Sequence, residues 1–511
     1  MSSIFGIGGN SAGTGFYPFD IGQSLRFNDN DSAYLNRTPS SDGNLDNWTF
    51  SAWTKLANAD NGRYLIGASI ATSKWFHIAV NTSGQIDIRQ FNSSSYDFRK
   101  ISVAVLRDLS AWYHIVVSYD SDNSTAEDRI KVYLNSERVT SFGTNENPSS
   151  GTDSFLNQNH AHTIGAFVNN NGSSVSNFYD GYLAEVNLVD GTTLLPTSFG
   201  ETKSGIWIPK NTSGLTFGTN GFRLKFQDSS AFGDDTSGNG HDFTANNFAT
   251  TDQMPDSPTD NKATFNGLVK DLKQATALSD GNKTITFSAG TDGFSGTPLT
   301  IFRNEGKAYC EVNLDTTYSG NSTDSQCVFV VDDGADFSAI GSGSLNSRLV
   351  GSYCAGGSGD SPAEIASNGV NQGGSPSKYR STNDRVGVYI DFDAGKGFFA
   401  LNGTVQTVNG TPDIANGTNP HFTFTANSRL TVGVGGIHGN SSQPILTLKD
   451  DPGDWGTTPP DGYTSFSTAN LQDPDVDPNK GDDPADYLNT VLYTGDGSSN
   501  RGITGVGFSP D

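Results

Sequence analysis

The sequence predicts an all-β protein, and three observations carry that reading. First, turn-forming residues dominate: Gly alone contributes 60 of 511 residues. Second, Glu is scarce: only 8 of the 55 acidic residues are Glu and 47 are Asp. Asp, Gly, Asn and Ser favour turns and loops, whereas Glu, Lys and Ala favour helices. Third, short segments alternate apolar and polar residues at a period of two, which marks half-buried strands.

The segments fall into blocks, and at 511 residues the chain is too long for a single core. Residues 20–195 contain "WTFSAWTKL", "WFHIAVN", "QIDIRQF", "WYHIVVSYD", "RIKVYLN" and "GYLAEVNLV", separated by polar turns such as "NTSG". Many short strands at close spacing predict an antiparallel jelly roll or sandwich. Residues 196–265 read as a short β-containing connector with "SGIWIPK" and "GFRLKFQD". Residues 266–470 are β again, with "KAYCEVNL", "QCVFVVDD", "VGVYIDFDAGKGFFALNG" and "LTVGVGG". The Gly-rich residues 1–19 read as an anchor that orders against a partner, and 471–511 as a Pro/Asp-rich extension. "VAVLRDLSAW" (103–112) reads as a turn or two of helix, or equally as strand plus turn.

Composition excludes several function classes. The net charge is −24 and the isoelectric point about 4.5, so the basic footprint of a nucleic-acid binder is missing. An acidic surface also opposes anionic membranes, and no apolar run is long enough to span one. "MSSIFGIGGNSAG" lacks the charged start and apolar stretch of a signal peptide. Cys310, Cys327 and Cys354 show no zinc spacing, and their odd number predicts buried thiols rather than a closed disulfide framework.

Candidate chemistry is thin. A glycoside hydrolase needs two carboxylates flanking the sugar. Glu185 and Asp190 lie five apart on one predicted strand, an odd spacing that sends them to opposite faces. The same alternation groups Leu183 with Glu185, and Tyr182, Ala184, Val186 and Leu188 on the other side. His114, near a strand start, reads as a structural core histidine, and His160 with His162 as a weak i,i+2 metal pair. Clustered loop oxygens suit Ca²⁺. Asp120, Asp122, Asn123 and Asp128 in "YDSDNSTAED" are the calcium candidates, with Asp234 and Asp235 behind them; solvated turns are the plainer use. Sugars stack on exposed aromatics. Tyr96, Tyr353, Tyr379 and Trp455 are the ligand-binding candidates, in competition with packing at the rim.

Certain motifs resemble known families. Trp112-Tyr113-His114-Ile115-Val116-Val117, then Tyr133-Leu134-Asn135, Thr163-Ile164-Gly165 and "FYDGYLAEVNLVDG" follow the order of laminin-G-like, concanavalin A-like jelly rolls. Gly306-Lys307-Ala308-Tyr309-Cys310-Glu311-Val312 and "DRVGVYIDFDAGKGFFALNG" (384–403) resemble SPRY domains, with Cys310 where that family usually has Trp. The connector resembles segments that follow laminin-G-like modules in structural proteins of tailed phages. That combination resembles a tail fibre or related virion appendage. The resemblance implies a non-enzymatic virion protein assembled in the host cytoplasm, docked to other virion proteins through its N-terminus and expected as a trimer. Its receptor would be a host-surface glycan or protein. A capsid decoration protein and a glycan depolymerase are the two rivals.

Overall fold

The computed structural model describes residues 16–57, 62–203, 205–268, 276–287, 295–316, 325–334, 349–355, 363–437 and 444–471. Almost all of the anchor and of the C-terminal extension therefore lies outside the described residues.

The chain is all-β and builds two sandwiches. In the first, one sheet runs Glu137–Arg138, Ile130–Leu134, Trp112–Asp120, Asn47–Leu56, Gly181–Asp190, Ser24–Phe27 and Gln253–Met254, with Phe222–Leu224 added beside Gly181–Asp190. The facing sheet runs Phe142–Glu146, Ser95–Val105, Gln85–Asn92, Lys74–Val80, Arg63–Ala71, Ala161–Ile164, Tyr34–Arg37 and Thr244–Asn246. Alternation decides which side of each strand is dry. Phe76, Ile78 and Val80 point inward from one strand, and Ile86 and Ile88 from its neighbour, into a core with Trp48, Phe50 and Tyr119. "VAVLRDLSAW" is the end of one strand followed by a turn.

The second sandwich has its own core around Phe265, Val312, Val330, Val388, Phe399 and Val432. Its larger sheet is centred on Lys307–Leu314, flanked by Arg385–Asp391 and Ile445–Lys449. The facing sheet is centred on Leu430–Ile437 and Ser325–Asp332. A tight turn at residues 392–395 joins Arg385–Asp391 to Lys396–Leu401.

Three strands of residues 196–265 are built into the first sandwich. Phe222–Leu224 pairs with Gly181–Asp190, Thr244–Asn246 with Tyr34–Arg37, and Gln253–Met254 with Ser24–Phe27. Phe222, Leu224, Phe226, Phe232 and Phe243 enter its core.

Two expectations need correction. Cys327 and Cys354 form a disulfide, because antiparallel pairing sets them directly opposite on adjacent strands; Cys310 alone stays a buried thiol. The alternation along Gly181–Asp190 also breaks. The register slips between Ala184 and Asn187, and Glu185 sits at φ +46°, so one residue is bulged out. Leu183 consequently shares the core with Val186 and Leu188, while Ala184 packs outside against Trp53 and Ile21.

Candidate functional site

Outward-facing positions of the Arg63–Ala71, Lys74–Val80, Gln85–Asn92 and Ser95–Val105 strands should be polar on a solvated sheet. Here they carry rings. Trp75 stands directly opposite Phe91, two residues from His77 on its own strand. Trp75 stacks with His77 at 5.2 Å and with Phe91 at 5.5 Å between centroids, and meets Tyr96 and Phe167 edge-on. Tyr64 closes the group against His77 at 5.0 Å. Trp75, Tyr64, Phe91, Tyr96 and Phe167 are only partly buried. A single-sided cluster of half-exposed rings on a sheet is the kind of apolar patch that marks a contact surface.

Polar groups sit among the rings. Arg89 forks onto Asp87, with Nε 2.5 Å from Oδ1 and a second contact from Nη2 to Oδ2. Burial pushes the Asp87 carboxyl up, but the neighbouring His77 ring and the hydrogen bonds from Arg89 outweigh it and hold the group below its ordinary value. Burial lowers His77, against the opposing pull of Asp87, so the ring stays neutral near pH 7. Its Nε2 lies 3.8 Å from Asp87 Oδ1, and its buried Nδ1 has no hydrogen-bond partner. The Arg99 guanidinium lies 4.7 Å above the Tyr96 ring and pairs with Glu146. Tyr64, Trp75, His77, Asp87, Arg89 and Tyr96 line a depression of about 490 Å³ that also reaches Asn81 and Asn177. Both arginines are matched by carboxylates, so the face offers rings and hydrogen-bonding groups without excess charge.

Of the four aromatic candidates, Tyr96 lies in this face. Tyr353 and Tyr379 do not offer a stacking surface: they are 0% and 1% exposed. Tyr353 sits on an inner strand with its hydroxyl on Ser377 O, and Tyr379 donates to Gln326 O at 2.8 Å. Their turn-like neighbours in sequence hid this inward alternation. Trp455 is half-buried and packs edge-on to Tyr309 at 5.0 Å, so it clamps its own loop.

The calcium candidates do not converge. Asp128 pairs with Arg138 at 2.5 Å, and Asp120 accepts from Asn123 Nδ2 at 3.1 Å, which leaves Asp122 exposed beside them. Asp235 is consumed by backbone amides of Arg223, Ser237 and His241. His162 spends both ring nitrogens on backbone groups of its own loop. Among the described residues no cluster of three or more His, Cys, Asp or Glu could hold a metal ion. Among the described residues no helix is long and apolar enough to cross a membrane.

Glu185 and Asp190 serve separate structures. Glu185 takes Arg223 at 3.0 Å and Thr212, whereas Asp190 accepts from Asn44, Asn157 and Asn220 and ties three loops together. His114 is fully buried between Trp53 and Trp207, as expected of a core histidine.

The fold and this face describe a lectin-like sandwich joined to a second sandwich. Residues 28–195 match the laminin-G family of the concanavalin A-like lectin/glucanase superfamily. No curated protein matches the chain. Among solved structures, the heptameric SAP-like pentraxin of Limulus polyphemus is 18% identical over 34% of this chain and 79% of its own, with a TM-score of 0.27. The SPRY domain of human HERC1 is 16% identical over 35% and 94%, with a TM-score of 0.25. The CBM40 of the Ruminococcus gnavus IT-sialidase, solved with α2,3-sialyllactose, is 12% identical over 29% and 85%, at 0.22. Likenesses this distant say nothing of what the chain binds.

The sequence did hold a signal for the missed residues. In "WFHIAVN" and "QIDIRQF" the aliphatic residues take one parity, which leaves Trp75, His77, Asp87, Arg89 and Phe91 on the other. Large rings at positions owed to water are that signal.

Proposed function

We propose that this chain is a non-enzymatic attachment protein of a tailed-phage particle, with the Trp75 face as its glycan-binding surface. The observation that carries the reading is the row of half-exposed rings around the Asp87–Arg89 pair. Sugar rings present apolar C–H faces to aromatics and hydroxyls to paired polar groups. Asn81 and Asn177 add hydrogen-bonding capacity at the same depression. The virion setting rests on the sequence resemblance of the connector and of the paired modules, and so do the N-terminal docking and the trimer.

The test is a glycan array with the full chain, followed by titration of any hit against variants. Trp75→Ala is expected to weaken binding about five- to thirtyfold, since losing one stacking partner removes on the order of 1–2 kcal/mol. Tyr379→Phe is expected to bind as the parent does. Undiminished binding by Trp75→Ala would move the site elsewhere. Release of reducing ends from a bound polysaccharide would favour the depolymerase. Absence of saturable binding to host cells, with the chain present on particles, would favour the decoration protein.

A further inference from the structure

We propose that Lys55 and Asn261 become joined by an intramolecular amide bond, formed by the folded chain itself with Asp256 as the proton carrier. Lys55 closes the strand Asn47–Leu56, and its side chain is 1% exposed; Asp256 is 0% exposed. Lys55 Nζ lies 2.7 Å from Asp256 Oδ2 and 2.7 Å from Asn261 Oδ1, with Lys262 O at 3.1 Å. The carboxamide is oriented independently: Asn261 Nδ2 donates to Ser110 O at 2.8 Å, so its carbonyl must be the end that meets the amine. A carbonyl bond of about 1.2 Å then places Cγ no more than about 3.9 Å from Nζ, close to the about 3–3.5 Å of a near-attack pair. Trp112 Nε1 donates to Asp256 Oδ1 at 2.9 Å, and the Tyr182 ring lies 5.7 Å from Nζ. These groups close over the Lys55–Asp256 pair, whose side chains are both almost fully buried.

The chemistry balances without an oxidant or a cofactor. The Lys55 ammonium gives one proton to the Asp256 carboxylate, whose Oδ2 lies 2.7 Å from Nζ. The freed amine attacks Asn261 Cγ and forms the N–C bond. The attacking nitrogen sheds a second proton, Asp256 delivers a proton to the departing amide nitrogen, and the Cγ–Nδ2 bond breaks. Ammonia leaves and takes up the remaining proton as ammonium, and Asp256 ends ionised as it began.

The chain contains an internal comparison. Lys100 Nζ lies 2.7 Å from Asn145 Oδ1 and 3.4 Å from Glu127 Oε2, which are the same functional groups. There, however, the Glu127 side chain is 58% exposed and Asn145 is exposed. Hydrogen bonds from Asn145 and Asn147 hold that exposed carboxylate below its ordinary value, so Lys100 is expected to remain an ion pair.

Denatured full-length protein is therefore expected to weigh about 17 Da less than its sequence, the mass of one ammonia. Trypsin should yield residues 38–63, uncut at Lys55, joined to residues 226–262, and no free peptide 56–63. Asn261→Ala and Asp256→Asn should restore the free 56–63 peptide. Mapping the parent protein decides the matter even if a variant misfolds. Free 56–63 in full yield, with no joined peptide, would overturn the proposal and leave a non-covalent ammonium with three acceptors.

Discussion

Trp207 Nε1–H donates to His114 Nδ1 at 3.0 Å, so a neutral ring must carry its proton on Nε2. Nε2 then donates to Ser51 Oγ, 2.8 Å away, and cannot take that hydroxyl's proton. The Ser–His contact is a core hydrogen bond and not an activated nucleophile. Burial pushes His114 down to about 3, and His162 and His421 each to about 4, from an ordinary 6.5. Unfolded, all three take up protons below 6.5 while the folded chain does not. Their contribution is complete above that value and is lost as pH falls towards 4 and 3. Each shift corresponds to roughly 3–5 kcal/mol at most. Asp450 runs the other way: burial, against the opposing charge of Lys283, raises it to about 7 from 3.8, so folding gains as pH falls through that window. Three histidines outweigh one carboxyl. The denaturant midpoint is expected to be clearly lower at pH 4.5 than at pH 7.5, and the drop should widen in Asp450→Asn. Equal midpoints at the two pH values would refute this.

At the scale of elements, the strand Gly181–Asp190 shows what alternation can and cannot reveal. Strand existence and extent were legible: "WTFSAWTKL", "WYHIVVSYD" and "KAYCEVNL" are strands within a residue of their quoted limits. The bulge at Glu185 was not, because a non-glycine residue at φ +46° carries no sequence mark. It is explained by a partner 38 residues away: Arg223 holds Glu185 through Nε at 3.0 Å and Nη2 at 3.2 Å, both side chains being about 5% exposed. Glu185→Ala would leave that guanidinium buried and unpaired, and is expected to cost about 3–5 kcal/mol in denaturant unfolding. Loss of less than about 1 kcal/mol would mean that the Asn187 Nδ2 bond to the Glu185 carbonyl, 2.7 Å and kept by the variant, fixes the bulge. The disulfide escaped for a similar reason. Cys327 and Cys354 are opposed only once the register of two strands is known, and the sequence between them sets no register. Tyr96 was singled out from its loop-like surroundings and lies near the start of the strand Ser95–Val105, whereas the Trp75 row required asking which parity of each strand was too aromatic for water.

At the scale of the molecule, the first sandwich does not end where its family resemblance ends. The match stops at residue 195, yet three later strands complete both of its sheets. Five phenylalanine and leucine side chains from residues 222–243 fill its core, each burying surface worth about 1.5–3 kcal/mol. Asp190, at the end of the matched segment, also needs the Asn220 amide at 2.9 Å. A fragment ending at residue 195 would expose that core and the unpaired edges of Gly181–Asp190 and Tyr34–Arg37, which is a recipe for aggregation. A fragment ending at residue 268 retains every one of these partners. It forfeits the hydrogen bonds of Asn282 Nδ2 with Ala57 O, of Tyr182 Oη with Gly281 O, of Asn28 Nδ2 with Asp280 Oδ1 and of Asn261 N with Thr468 Oγ1, and it leaves Ala263 and Phe265 without the second core. Those losses fall on the last few residues of the fragment and on a handful of hydrogen bonds of about 0.5–1.5 kcal/mol each, whereas the shorter fragment loses part of the first core itself. The longer fragment is therefore expected to be monodisperse and to melt cooperatively, and the shorter one to be insoluble or to unfold without a transition. A cooperative melt from the fragment ending at 195 would show that the matched segment is a complete folding unit and that residues 196–268 only decorate it.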